Sequence, residues 1–445
     1  MSSIISTFLI TVLFFLMSFL SKYKPFRNWA AKQLESSLTE QLSPYVNYRI
    51  RSPGFQLIPA KNGGSVKLQN LAYTLNELKE YQSRGKMTNS IISKRTNELI
   101  DTNWLEQLNK VRYFDKISQV NESVSRNYKV IENIIEYVLK EMVNTSSKTD
   151  KKMINVLRGF CTEFGFNLDT NGSKLQRKIG YKDETIVLQS NSNQNRVIEA
   201  INHLCRDWSD SFKLEREPIV DYVQKRLESC QLGDNSLVVL PGSGLGRLAH
   251  SIAEIFPSVD VDSVELSTLM YVCNQFALHF KRDVEICPFN MFYSGQLDVK
   301  KQTRPFNVSL SKVSFTPNLN TLLEDFRKYT PRKLTYDKII IVTEYFIDTA
   351  ENMFEYFENI ESLKQYSNNL QWINVGPLKY GTRPLVQFTV EELNSLRRIR
   401  KWEDIDVQVN TKQADLNGYL TDYESLYQGY YGLLKFHSRY QGPHT

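Results

Sequence analysis

Cysteine is scarce in this chain and follows no pattern. The five cysteines (Cys161, Cys205, Cys230, Cys273, Cys287) include no Cys-x-x-Cys pair and leave one over. That excludes a disulfide framework or a zinc ribbon and fits reduced, mostly buried thiols of a cytosolic protein. Five dispersed histidines (His203, His250, His279, His437, His444) give no ligand spacing either, so no metal is expected. A basic stripe is also missing. Lys and Arg number 55 against 49 Asp and Glu, a net charge of +6 spread along the sequence, and nucleic-acid binding is not expected. No internal repeat is visible. The basic n-region and small-residue cleavage site of a secretory leader are missing or poor.

What the N-terminus does have is an uncharged apolar segment, Ile4 to Leu20, near the lower limit of a membrane span. Lys22, Lys24, Arg27 and Lys32 follow it, which places the C-terminal side in the cytoplasm by the positive-inside rule. The expectation is a single anchor over 1–21, a connector over 22–55 and a cytoplasmic globular part. An amphipathic or buried helix, or a start codon placed too far upstream, are the alternatives. Residues 56–230 read as a helical region leading into a ligand site. Leu71, Leu75 and Leu78 recur at helical spacing, as do Val130, Ile131, Ile134, Ile135, Val138 and Leu139. Loops are expected at Asn144–Lys152 and Gln189–Asn195.

Residues 231–440 read as an α/β domain, a doubly wound, mostly parallel sheet. Leu237 to Leu240 form a short apolar strand, followed at once by Pro241-Gly242-Ser243-Gly244-Leu245-Gly246. Leu245, Leu248, Ala249, Ile252, Ala253 and Phe256 then recur at helical spacing. A second strand, Val259 to Val264, ends in Glu265, roughly 20 residues past the glycines, where an acid can hold ribose hydroxyls. Dinucleotide folds prefer G-x-G-x-x-G, with a pyrophosphate on the helix end. The G-x-G-x-G spacing here suits a ligand without that phosphate, such as S-adenosylmethionine. A glycine turn that binds nothing is the bland alternative.

Further candidates lie around this cradle. Arg206 precedes it by one helix and can meet a carboxylate with its planar fork, or, with Asp207, be a surface charge around a buried Trp208. Cys287 to Pro331 is weakly periodic and reads as a long insertion or lid; within it Asp325 can accept from an adenine amino group or be a solvated helix residue. Lys338 to Thr343 is a β-branched strand leading into Glu344-Tyr345-Phe346-Ile347-Asp348-Thr349. Acids there lie where open α/β sheets bind ligands, or cap a helix. Trp372-Ile373-Asn374-Val375-Gly376-Pro377 is another strand ending in a turn.

Arg206-Asp207-Trp208-Ser209, Pro241 to Leu248, Phe346-Ile347-Asp348-Thr349-Ala350 and Trp372 to Leu378 stand in the order that resembles the carnosine N-methyltransferase family. The resemblance covers roughly Leu68 to Tyr440. It implies a Rossmann-like class I methyltransferase domain with an N-terminal helical region, using S-adenosylmethionine to methylate an imidazole nitrogen of β-alanyl-histidine. It implies that Arg206 holds the cofactor carboxylate, Gly242 and Gly244 carry its methionine portion, Glu265 binds the ribose and Asp325 the adenine. His203 stands where the family has Gln, and Glu344 with Tyr345-Phe346 where it has Cys and Phe; His203 and Glu344 are counted on the cofactor side. Asp348 is the implied catalytic residue, orienting the amino group of the dipeptide, with Tyr345, Tyr419 and Tyr431 in the substrate pocket. Two further departures matter more: Gly381 stands where the family has a histidine that contacts the substrate imidazole, and Gly429 where it has a tyrosine. The expected activity is methyl transfer to a histidine-containing dipeptide or related peptide. The alternatives are transfer to another small amine or protein nitrogen, or a decayed, cofactor-binding protein.

Overall fold

The computed structural model describes residues 64–99, 101–145, 151–178, 193–381 and 383–443. The chain divides into two units, Met1–Asn47 and Tyr48–Thr445, and all described residues belong to the second. The expected anchor at 4–20 and connector at 22–55 lie outside the described residues. Among those described, no helix is long and apolar enough to cross a membrane.

Two long helices, α1 (Gly64–Leu99) and α3 (Tyr113–Thr145), flank the short α2 (Thr102–Lys110). Leu71, Leu75 and Leu78 on α1 and Ile131, Ile134, Val138 and Leu139 on α3 are completely buried, as their helical spacing requires. Helix α4 (Lys151–Glu163) leads into a hairpin of β1 (Phe166–Leu168) and β2 (Leu175–Arg177), which the sequence reading does not anticipate. Helices α5 (Gln194–Trp208) and α6 (Lys213–Ser229) then bring the chain to the sheet. One apolar core joins α1, α3 and α5 to the sheet domain through Leu245, Leu269 and Phe276.

The central sheet contains β3 (Ser236–Pro241), β4 (Asp260–Glu265), β7 (Leu319–Leu323), β8 (Lys338–Glu344), β9 (Leu370–Gly376), β10 (Trp402–Asn410) and β13 (Leu433–Tyr440). Its order is β7-β4-β3-β8-β9-β13-β10. The first five are mutually parallel, β13 runs antiparallel to β9, and β10 antiparallel to β13. Every residue of β3 and β9 is buried; β3 reads as a short apolar run for that reason, and β9 also buries Gln371 and Asn374. Helix α7 (Arg247–Ile255) follows β3 and α8 (Thr268–His279) follows β4.

Cys287 to Pro331 is not simply an insertion or lid. It begins after β5 (Val284–Ile286), passes through the one-turn α9 (Val299–Gln302) and pairs back through β6 (Phe306–Val308), packing on the helical core. It then supplies β7, an edge strand of the main sheet. The β10–β13 pair, with the short β11 (Asn417–Gly418) and β12 (Tyr430–Tyr431) paired between them in sequence, also departs from simple strand–helix alternation. Strand order reverses between β3 and β8, the switch point where open α/β sheets form their ligand crevice beyond the carboxyl ends of the strands.

Candidate functional site

The glycine turn leaves β3 into that crevice. Gly242 has φ +61°, and a Cβ there would lie 2.3 Å from the Phe346 ring. Gly244 has φ +53° with no atom within 4 Å of such a Cβ, so its backbone faces open space. Both positions favour glycine by their left-handed backbone. Trp208 Nε1 donates to the Leu245 carbonyl at 3.3 Å, tying α5 to the turn, and Asn274 Nδ2 donates to Gly244 O at 3.3 Å. Glu265, at the tip of β4, accepts from the Gly244 and Ser267 amides at 2.9 and 2.8 Å. Burial raises its pKa, against the pull of those amides.

Arg206 is buried, 5 % exposed, so the reading of a surface charge does not hold. Its Nη1 donates to Asp207 at 3.1 Å, and its Nη2 lies 3.6 Å from Glu344 Oε1. The guanidinium stacks over Tyr419 at 4.1 Å and approaches Tyr345 at 5.2 Å. Burial opposes its charge, but Asp207, Tyr419 and Glu344 outweigh that and hold it protonated. His203 Nε2 shares a hydrogen bond with the Tyr419 hydroxyl at 3.0 Å, and burial keeps the imidazole pKa low. Glu344 is walled in on most sides, with 27 % of its side-chain surface still open. Burial pushes its pKa up to about 7 despite the neighbouring Arg206.

Asp325 follows β7, buried, and accepts from Arg327 Nε and Nη2 while capping a short 3-10 helix. It is thus neither solvated nor unoccupied. An aromatic wall that sequence reading misses separates it from the glycine turn: Phe346 stacks on Tyr356 at 4.6 Å and meets Phe326 edge-on at 5.9 Å.

On the opposite lip, Asp348 lies buried in a 3-10 turn and accepts from the Lys379 amide at 2.9 Å. Burial raises its pKa, against that amide. Lys379 Nζ donates to the Tyr431 hydroxyl at 2.9 Å. Tyr345, Tyr419 and Tyr431 pack mutually, with centroids 4.9, 5.7 and 6.2 Å apart. Tyr345 holds φ +47°, a strained value for a bulky residue, and its amide donates to Val375 O at 3.0 Å. A Cβ on Gly376 would press within 3.0 Å of that same amide nitrogen. Gly381 and Gly429 are exposed, and a Cβ at either would meet no atom within 4 Å.

Glu215 on α6 is a second residue missed by sequence reading. Fully buried, it accepts from the Leu420 and Thr421 amides at 2.6 and 2.8 Å and so fixes the turn carrying Tyr419. Asn417 reinforces it, donating to Glu215 O and the Tyr345 hydroxyl. In the sequence, Glu215 is indistinguishable from its charged neighbours Glu217 and Arg216. The five cysteines are buried and unpaired.

Numbered by first appearance in the sheet, the strands run 3-2-1-4-5-7-6 with the last-numbered strand reversed, and the crevice sits at the switch point. That topology with this glycine turn and the acid at the tip of β4 defines a class I S-adenosylmethionine-dependent methyltransferase. Residues 183–442 match the carnosine N-methyltransferase family, and the chain belongs to it. A Saccharomyces cerevisiae protein described as uncharacterized is 39% identical over 99% of both chains. The carnosine N-methyltransferase of Rattus norvegicus is 26% identical, the match covering 56% of this chain and 64% of the rat enzyme. Among solved structures, a magnesium protoporphyrin IX methyltransferase from Synechocystis with bound S-adenosylhomocysteine aligns at 11% identity, covering 55% of this chain and 95% of that one, with a TM-score of 0.35.

Proposed function

We propose that this protein transfers the methyl group of S-adenosylmethionine to an imidazole nitrogen of a histidine-containing dipeptide or related peptide. The observation that carries the reading is a crevice with two chemically different halves. One half has buried, hydrogen-bond-poor Arg206, the open backbone at Gly244 and the pinned Glu265. The other has buried Asp348 amid Tyr345, Tyr431 and Lys379.

The first half fits the cofactor: Arg206 for its carboxylate, Gly242 and Gly244 for its methionine portion, Glu265 for ribose hydroxyls, and the Asp325 side of the aromatic wall for adenine. His203 acts through Tyr419, which it orients. Bound S-adenosylmethionine supplies an electrophilic methyl, so the chain need not generate a strong nucleophile. Its task is positioning, worth several kcal/mol when attacking and leaving atoms are aligned. Imidazole has a reference pKa of about 6.5, so much of it is already neutral at pH 7. Asp348 orients the acceptor through its amino group, a charge-assisted contact.

A second reading is favoured by the empty space at Gly381 and Gly429, where the family resemblance places His and Tyr: the acceptor is another small amine or a protein nitrogen. The test is methyl transfer from labelled cofactor to a panel of carnosine, histidine peptides and amines. Labelled imidazole product supports the first reading; labelling of amines alone supports the second. Gly381→His is expected to raise activity on carnosine, and no gain would exclude that position as the source of the altered pocket.

A further inference from the structure

Arg206 is anchored on one side only. Nη1 is engaged by Asp207 and the ring plane by Tyr419. The other edge, Nε with Nη2, donates no hydrogen bond although the residue is 5 % exposed. Those two nitrogens form the side-on fork that meets a carboxylate with two parallel bonds. Glu344 stands just off the same edge, its Oε1 3.6 Å from Nη2, beyond good hydrogen-bond length. A ligand carboxylate entering the fork would therefore sit beside a second carboxylate. An amino-acid head group resolves this conflict, because its ammonium is borne by the carbon adjoining the carboxylate.

We propose that Glu344 is the counter-charge for the α-ammonium of S-adenosylmethionine, so that Arg206 and Glu344 together grip the zwitterionic head of the cofactor. This rests on the cofactor reading given above. The cysteine expected here from the family resemblance carries no comparable charge at neutral pH, so the grip is a property of this chain. A role for Glu344 as base toward the methyl acceptor fits less well. It touches the carboxylate fork, whereas the methyl-bearing sulfur lies further along the cofactor side chain, and the acid on the acceptor side is Asp348.

Arg206 and Asp207 from α5, Arg216 from α6 and Tyr345 act on Glu344, and His203 and Tyr419 lie around its partner Arg206. Arg216 is engaged with the Arg206 and Ser209 carbonyls, and His203 is held neutral by burial. Glu344, raised to about 7, must lose its proton to take an ammonium. The grip therefore weakens as pH falls below neutrality.

The test is calorimetric binding of S-adenosylhomocysteine and of its analogue with the α-amino group replaced by hydrogen, to the full chain and to Glu344→Gln. Near pH 7.5 the wild type is expected to prefer S-adenosylhomocysteine by about 10- to 100-fold, the range for a charge-assisted contact. Glu344→Gln is expected to lose most of that preference while binding the desamino analogue at least as tightly as the wild type does, since the carboxylate beside the fork is gone, which also reports that it is folded. Near pH 6 the wild-type preference shrinks and that of the variant stays put. An unchanged preference in the variant, or an equal loss for both ligands, overturns the proposal alone. Failure of the wild type to bind either ligand overturns the cofactor reading and this inference with it.

Discussion

At the scale of single residues, the glycine turn and the acceptor-side acid make separable demands. Gly242→Ala must fit a methyl into the Phe346 ring at positive φ, and is expected to cost about 1–3 kcal/mol of stability, measured by denaturant unfolding. Gly244→Ala meets no neighbour. Its φ strain is expected to cost only about 1 kcal/mol in folding, while affinity for S-adenosylhomocysteine falls steeply because the methyl occupies the ligand's approach. Asp348→Asn removes an orienting charge without touching the cofactor fork. Turnover is expected to fall about 10- to 100-fold with cofactor affinity unchanged by calorimetry. Equal loss of both would remove Asp348 from its assigned place. The glycine turn was legible in the sequence because its spacing has a physical meaning, whereas the role given to Asp348 came from the family resemblance. Arg206 was only half legible, since nothing in Arg206-Asp207 says which way the side chain turns. Burial decided it.

At the scale of elements, the strands β3 and β8 were readable because burial on both faces writes them as apolar runs, while β4 and β9 also bury Asp262, Ser263, Gln371 and Asn374. Strand β7 was not. Leu319-Asn320-Thr321-Leu322-Leu323 lies among Pro and Asn residues, and its Asn320 is buried only because it donates to Asp262 at 3.0 Å. Such a compensation is invisible before folding. Nor does the sequence announce that α6 and the 417–431 turn, some 200 positions apart, are bound through Glu215. This clamp gives an element-level expectation. Glu215→Ala leaves the buried Thr421 amide and the part-buried Leu420 amide without their acceptor, the buried one costing about 1–3 kcal/mol. A lower melting temperature is expected, together with a raised KM for the acceptor because Tyr419 and Tyr431 lose their fixed spacing. A milder Glu215→Gln, which keeps one acceptor oxygen, should restore part of both.

At the scale of the whole molecule, the ligand crevice is a set of buried acids assembled without a compensating cation for each. Glu344 titrates near 7 in the folded chain against an ordinary value of 4.5. The folded state thus holds this proton more tightly than the unfolded one, and stability declines as pH rises from about 4.5 to 7, then levels. Glu265 and Asp348 are also raised, with the same sign. Without ligand, Glu344→Gln is expected to flatten part of this decline and to exceed the wild type in stability by about 1–3 kcal/mol above pH 7. Thermal melts between pH 5 and pH 8 measure it; parallel curves for the two proteins would show that Glu344 does not titrate in this range.

The interlock of Tyr345 with Gly376 bears on how such an enzyme can change over generations. The tips of β8 and β9 fit so closely that any side chain added at 376 would press on the backbone of Tyr345 and so disturb the residue that joins the two halves. Mutational drift at that seam is therefore penalised at once. The bare rims at 381 and 429 impose no such penalty, so exploration of new acceptors is channelled to the periphery while the interior stays insulated from the experiment.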